Sequence, residues 1–583
     1  MSKRILGLCV LTGVAAVSPQ TVHAQINPAP TREEIQPDEL SPLQDERPQS
    51  LAVEGGIERA PCPLAQPQFA NIRFRLTNAT FANLRGLPES ALRPAFAEFV
   101  GQDVPIAIVC EIRDRAASIL RSAGYLAAVQ VPPQQIGDDG IVRFDVLMAQ
   151  MSRIQVRGDA GNSEGLIASY LEPLTDMEVF NQREAERSLL LARNLPGFDT
   201  RLTLRPAEGM PGQVIGDVRV ERTPFVLEAN VQNYASKSTG RWGGQIRAQI
   251  NDITGLGDST SLAIFSSADF DEQFVLNAAH SFAIGGDGLR FGAQFTYAWN
   301  DPTIGGTSPF DTETLVAGFN LSYPFILDQG TSLTGSAGFD FIEQDIEFSG
   351  APLNRDKLRV AYAGLSLFTT DRDSIEGRGG YSAAEPRWRA GISGEIRQGF
   401  DIFDASEPGL PPVIAVPQAR AAGEADAFVF RLNGLAEFRP VPNLAFVFEP
   451  RLQWTSDPLL SYEEFSAGNY TIGRGYDPGS IIGDRGFGFR YEIRYGTALP
   501  RTLESWAVQP YGFFDAAWVD NEDPPALGGG SDELFSTGVG VRANWGDRAR
   551  LDATFAIPLR RTDFQTSTPD PRLLLSLLVR FAR

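Results

Sequence analysis

The stretch Leu289-Arg-Phe-Gly-Ala-Gln-Phe-Thr-Tyr-Ala-Trp299 decides the architecture. In an extended chain Leu289, Phe291, Ala293, Phe295, Tyr297 and Trp299 fall on one face, and Arg290, Gly292, Gln294 and Thr296 on the other. Strand side chains alternate with period two, so this is a strand with an apolar, aromatic-ended face and a polar face. Phe487, Phe489, Tyr491, Ile493 and Tyr495 oppose Arg490, Glu492 and Arg494 in the same way. A soluble sandwich would show the same alternation. Here, however, it runs from Thr223 to the end, roughly 360 residues almost without helical periodicity, and aromatics gather at strand ends. A membrane β-barrel with a polar lumen accounts for both.

From 224–234 to 572–582 we count about sixteen strand segments, an even number as in bacterial barrels. If the first strand rises from the periplasm, connections after odd strands face outward and should be long. Connections 300–310, 345–353, 401–423, 456–483, 521–532 and 561–571 fall there. Turns 252–257, 284–286, 325–327, 439–442 and 546–548 are short; 371–385 is a long exception on the periplasmic side.

The rest of the chain fits an exported protein. Lys3 and Arg4, the apolar run Ile5–Val17 and Val22-His23-Ala24 form a signal peptide over 1–24, with maturation at Gln25. Beyond it no apolar run reaches the ~18 residues of a spanning helix. A net charge of -21 argues against nucleic acid as partner. Cys9 lies in the signal, which leaves Cys62 and Cys110. An oxidising compartment would pair them, adding roughly 4 kcal/mol in the chain-entropy model; the other reading is two inert buried thiols.

Residues 25–64, rich in Pro, Glu and Asp, read as a flexible linker, with a short helix possible from Glu33 until Pro37 interrupts it. Residues 65–149 and 150–222 each carry the order strand, helix, helix, strand, strand, as two copies of a small α+β domain. The barrel takes 223–583.

One segment of the barrel is unlike a strand: Tyr470-Thr-Ile-Gly-Arg-Gly-Tyr-Asp-Pro-Gly-Ser-Ile-Ile-Gly-Asp-Arg-Gly486. It puts Arg474 between Gly473 and Gly475 beside Tyr476, with Gly483 and Asp484 further on, in the connection after the eleventh strand. A guanidinium in a lumen needs an anionic partner, and its planar fork suits a carboxylate. In Phe513-Phe-Asp-Ala-Ala517 of the thirteenth strand, alternation turns Asp515 inward with Phe513 and Ala517. The plainer reading of Arg474 is a solvated loop arginine.

With these motifs the chain resembles the TpsB family, the outer-membrane transporters of two-partner secretion, in the superfamily of the barrel-assembly protein BamA. Asn233-Tyr-Ala-Ser-Lys-Ser-Thr-Gly240 with Gly255-Leu-Gly-Asp258 is similar to the family's opening barrel hairpin, and Asn194-Leu-Pro-Gly-Phe198 to its second periplasmic repeat. The resemblance implies a sixteen-stranded barrel preceded by two POTRA domains, a Cys62–Cys110 disulfide, and a loop folded into the lumen where Arg474 pairs with Asp515. Three positions depart from the family pattern: Gly473 where valine is usual, Ala517 where glycine is usual, and Arg583 where an aromatic normally ends the chain.

The resemblance further implies export of a large secreted, TpsA-like exoprotein bound through the POTRA domains, without cofactor or metal. The chain is expected in the outer membrane of a Gram-negative bacterium, as a monomer in contact with lipid, placed there by the barrel-assembly machinery. Sheet edges near 127–131 and 214–220 are candidates for holding cargo by strand addition. A BamA-like insertase and a passive pore are the alternatives. An enzyme is not expected. Gly161-Asn-Ser-Glu-Gly165 matches an esterase elbow, but a triad lacks a suitable histidine, and Ser163 is expected to cap a helix instead. Gly285-Gly-Asp-Gly288 is a hairpin turn.

Overall fold

The computed structural model describes residues 29–36, 51–53, 62, 64, 66–69, 71–207, 212–407, 416–523, 530–563 and 565–582. The signal peptide, its cleavage position and most of the linker lie outside the described residues.

Sixteen antiparallel strands close into a barrel, as the alternation demands. The first, Phe225–Gln232, pairs with the second, Gly243–Asn251, and closes the ring against the last, Arg572–Ala582. Closure leaves no free edge in lipid, where unpaired backbone groups are costly. Phe295, Phe319, Leu365, Ile392 and Val539 are exposed on the outside. Thr296, Asp340, Glu492 and Asp515 are buried on the inside.

One connection differs from expectation. The seventh strand runs to Phe348 and the eighth begins at Ala351, so 345–353 contains only a two-residue turn. Asp345 falls in the span read as loop, yet it pairs with Arg355 on a ladder that continues to Phe348 and Ala351. The long periplasmic exception holds a short helix, Arg372–Ile375.

Before the barrel lie two α+β modules. In the first, the helix Ile108–Ser122 packs on the sheet Asn78–Ala82, Ile141–Met148 and Ala127–Gln130, in that order. Leu92, Ile112, Leu120, Val142 and Phe144 fill its core. Cys62 and Cys110 are bonded, tying the start of this module to its helix. In the second, helices Glu164–Leu171 and Gln182–Arg193 cover Phe198–Pro206, Gln213–Arg222 and Gln150–Gly158. Gln213–Arg222 is central, paired on both sides. The stretch 214–220 is therefore not an edge, and cannot accept a further strand. Leu51–Val53 lies parallel on Phe198–Pro206 and covers that edge.

Candidate functional site: the latched loop in the lumen

Residues 456–484 join the eleventh strand, Leu444–Thr455, to the twelfth, Arg485–Tyr495. Instead of standing out in water, this loop folds back into the barrel. Phe465–Ala467 pairs with Ile481–Gly483 as a small hairpin. Phe465, Ile472, Tyr476 and Ile481 then pack on Ala517, Val519 and Leu534 of the wall.

At its tip the backbone presents Arg474. Gly473 and Gly475 have φ of 115° and 96°, in the region that disfavours any side chain. A Cβ on Gly473 would also stand 2.5 Å from Leu534 Cδ1. The departure from valine at 473 thus has a backbone reason in this chain. Arg474 Nη2 and Nε donate to Asp515 Oδ1 and Oδ2 at 2.7 and 3.0 Å, and the Arg474 amide donates to Oδ2 at 2.9 Å. The guanidinium lies 3.8 Å from the centroid of the Phe513 ring, close enough for a cation–π contact. Asp515 is fully buried.

A second carboxylate completes the arrangement. Glu492 accepts from Arg474 Nη1 at 2.5 Å, from Arg542 at 2.9 and 3.0 Å, and from Arg494 at 2.7 Å. Arg542 also reaches Asp552 at 3.0 Å, and Arg490 pairs with Glu449 at 2.9 Å. Arg474, Arg490, Arg494 and Arg542 thus stand among Asp515, Glu492, Glu449 and Asp552, and no buried charge there lacks an opposite. The sequence reading missed Glu492 as a partner of Arg474. The signal existed, since alternation had already placed Glu492 on the polar face of its strand.

The other motif residues serve the same loop at other points. The Tyr476 hydroxyl lies 2.9 and 2.6 Å from the carbonyl oxygens of Phe535 and Arg560, tying the loop to the fourteenth strand and the end of the fifteenth. Asp484 takes no part in the Arg474 contact. It receives both Nη atoms of Arg420 at 2.5 and 2.7 Å, and the amides of Leu459 and Glu522. It thereby joins this loop to the one after the ninth strand. Gly483 packs against Val519. Ala517 stands opposite Gly488 on the twelfth strand, where an added Cβ would come within 3.0 Å of the Ala517 methyl. The small residue usual at 517 has its counterpart at 488 here.

A second body lies in the bore. Arg32–Ile35 is one helical turn inside the lumen. The Glu34 carboxylate accepts from the Thr31 amide and hydroxyl at 2.8 and 3.0 Å. Ile35 is fully buried among Phe265, Val275, Ala298 and Tyr462. Glu33 meets Arg451 at 3.0 Å and the Ser466 hydroxyl at 2.9 Å. A cavity of about 530 Å³ remains, lined by Arg32, Gln36, Arg397, Arg431 and Tyr462 among others.

Closed barrel, paired modules and inward-folded arginine loop together define an outer-membrane β-barrel protein with two periplasmic domains. The profile of the haemolysin secretion/activation protein family ShlB/FhaC/HecB matches residues 215–543, and the chain belongs to that family. Its two modules have the small α+β build expected of POTRA domains. The chain is similar to the haem/hemopexin transporter HuxB of Haemophilus influenzae, 24% identical over 251 residues, 41% of this chain but 43% of HuxB. It is 22% identical over 476 residues to the outer membrane transporter CdiB of Escherichia coli, covering 79% of this chain and 73% of CdiB. The solved CdiB from Escherichia coli matches 90% of this chain and 94% of its own length, with TM-score 0.66 at 16% identity. That from Acinetobacter baumannii matches 93% of each with TM-score 0.58 at 15% identity.

Proposed function

We propose that the chain exports a large secreted protein from the periplasm to the cell surface by two-partner secretion. The observation that carries this reading is the content of the lumen. A barrel of sixteen strands has its bore filled by a loop fixed to the wall and by a single helical turn with few ties, so removal of that turn would open a route. The family is one of secretion proteins, and the transporter names of HuxB and CdiB agree.

In this reading the exoprotein, TpsA-like and unfolded, is received by the POTRA domains through strand addition. Ala127–Gln130, bonded on one side to Ile141–Met148, offers such an edge. Phe198–Pro206 is occupied by Leu51–Val53 and would have to be released first. Folding of the exoprotein outside would favour forward movement. The Arg474–Asp515–Glu492 arrangement keeps the loop on the wall so that the bore stays open once the helix leaves. No cofactor, metal, catalysis or nucleic acid enters, and the chain acts as a monomer surrounded by outer-membrane lipid after placement by the barrel-assembly machinery.

Deletion of the gene tests this directly. We expect one or a few exoproteins to vanish from the surface and medium while other outer-membrane barrels keep their abundance. A general fall in barrels would instead identify an insertase, and loss of small-solute permeability alone a passive pore.

A further inference from the structure

The segment Gly161-Asn-Ser-Glu-Gly165 has no part in the latch, and Ser163 does not cap its helix: no hydrogen bond runs from its side chain to the first turn. It faces the barrel instead. The fully buried Ser163 hydroxyl donates to Asp252 Oδ1 at 2.5 Å and accepts from the Gly257 amide at 2.9 Å. The Asn162 amide donates to Asp252 Oδ2 at 2.7 Å, and the Asn162 side chain to the carbonyls of Asp252 and Ile253 at 3.2 and 3.1 Å. Arg222 approaches Asp252 Oδ2 at 3.5 Å.

Asp252 opens the first periplasmic turn in a left-handed conformation, φ 61°, and Asp258 closes it by accepting from the amides of Ile253 and Thr254. The two glycines of Gly255-Leu-Gly257 have a docking reason. A Cβ on Gly255 would lie 2.6 Å from the Asn162 carbonyl oxygen, and one on Gly257 2.5 Å from Leu195 Cδ2. The turn is shaped to admit the second POTRA domain.

Two further turns meet the same domain. Arg187 donates to the carbonyls of Asp287 and Pro324 at 3.2 and 2.8 Å and lies 5.6 Å from the Tyr323 ring centroid. The Gln329 amide donates to Glu186 at 2.7 Å. A Cβ on Gly288 would touch Leu191 at 2.5 Å. Burial pushes the Glu186 carboxyl above its ordinary range, as expected of a group inside a closed contact.

We propose that this contact is a permanent joint: Ser163 and Asp252 at the first turn, with Arg187 and Glu186 at the next two, are positioning residues that hold the second POTRA domain on three consecutive barrel turns, and the joint stays shut while cargo passes. Opening it would leave the Asp252 carboxylate without three donors at once and separate all three turns together. Water would replace those donors on opening, so the net loss is that of several charge-assisted hydrogen bonds together with the contacts at all three turns, more than that of parting the three-residue Leu51–Val53 pairing. The proposal rests on the export reading above.

A cross-link tests it. A Cβ on Gly286 would stand 3.8 Å from the Ser169 Cβ, a separation suited to a disulfide. With Ser169→Cys and Gly286→Cys in the full chain, the probe is the polypeptide that disappears from the cell surface on deletion of the gene. We expect the oxidised, cross-linked chain to export it as the uncross-linked chain does. Asp252→Ala should lower export about tenfold, with barrel assembly unchanged by heat-modifiable mobility, and the cross-link should restore it. Loss of export on cross-linking overturns the proposal, as does normal export by Asp252→Ala. If deletion removes no exoprotein, the export reading fails separately, and spin labels at Glu184→Cys and Glu504→Cys of the reconstituted chain decide the joint. One narrow distance that broadens in Asp252→Ala supports it; a broad distribution in the wild-type background overturns it.

Discussion

Two bodies share the bore, and they are held in unlike ways. The loop 456–484 continues into a wall strand at each end, buries an apolar cluster and sits in a network of four guanidiniums and four carboxylates. The helix Arg32–Ile35 is one turn long, too short to persist alone in water. Among the described residues its side-chain ties to the wall and loop are an ion pair of Glu33 with Arg451, a hydrogen bond from Ser466, the burial of Ile35, and, from the capping Gln36, hydrogen bonds with Thr296 and Tyr462. Buried charge that is fully paired is hard to disturb one partner at a time, because the other is left stranded. The difference separates a permanent fitting from a removable stopper.

The comparison breaks most sharply at Arg474. Arg474→Ala strands Asp515 in a buried site, at a cost of about 3–5 kcal/mol. Export should fall about a hundredfold while the chain still reaches the outer membrane, as judged by fractionation and an exoprotein immunoblot. Glu492→Gln removes the charge shared by Arg474, Arg494 and Arg542 at a cost of about 3 kcal/mol, and should lower the temperature at which the folded barrel band is lost on electrophoresis. Tyr476→Phe removes one hydroxyl donor shared between the carbonyls of Phe535 and Arg560 and the acceptor of the Arg560 amide, at about 1–2 kcal/mol; protease should then cut the loop faster. Arg451→Ala acts on the other body and in the other direction. It removes a partly exposed ion pair worth up to about 1 kcal/mol, so the open fraction in planar-bilayer recordings should rise, by roughly fivefold at most.

The barrel was legible because its physics is periodic. Lipid on one side and water on the other force a period of two on every strand, and sixteen repetitions make the pattern unmistakable. Arg474 and Asp515 were legible for a related reason: two glycines mark an unusual backbone, and parity turns one carboxylate of the thirteenth strand inward. Glu492 escaped because nothing in a strand pattern says which of several inward charges a loop from elsewhere will reach. The helix Arg32–Ile35 was read only as a short turn from Glu33 within a flexible linker; its seat in the bore escaped because its partners are up to 433 positions away. Ser163 was misassigned since a serine before a helix usually bonds its own first turn, whereas here Asp252 from a distant turn competes for the hydroxyl. The edge at 214–220 was misplaced because alternation reports which face is buried and not which neighbours a strand has.

The most direct test sets Arg474→Ala beside Arg451→Ala in one deletion strain and measures exoprotein on the surface and in the medium, normalised to transporter in the outer membrane. The account predicts that Arg474→Ala is inserted but nearly silent, while Arg451→Ala exports at least as well as the unaltered chain. Normal export by Arg474→Ala would contradict it.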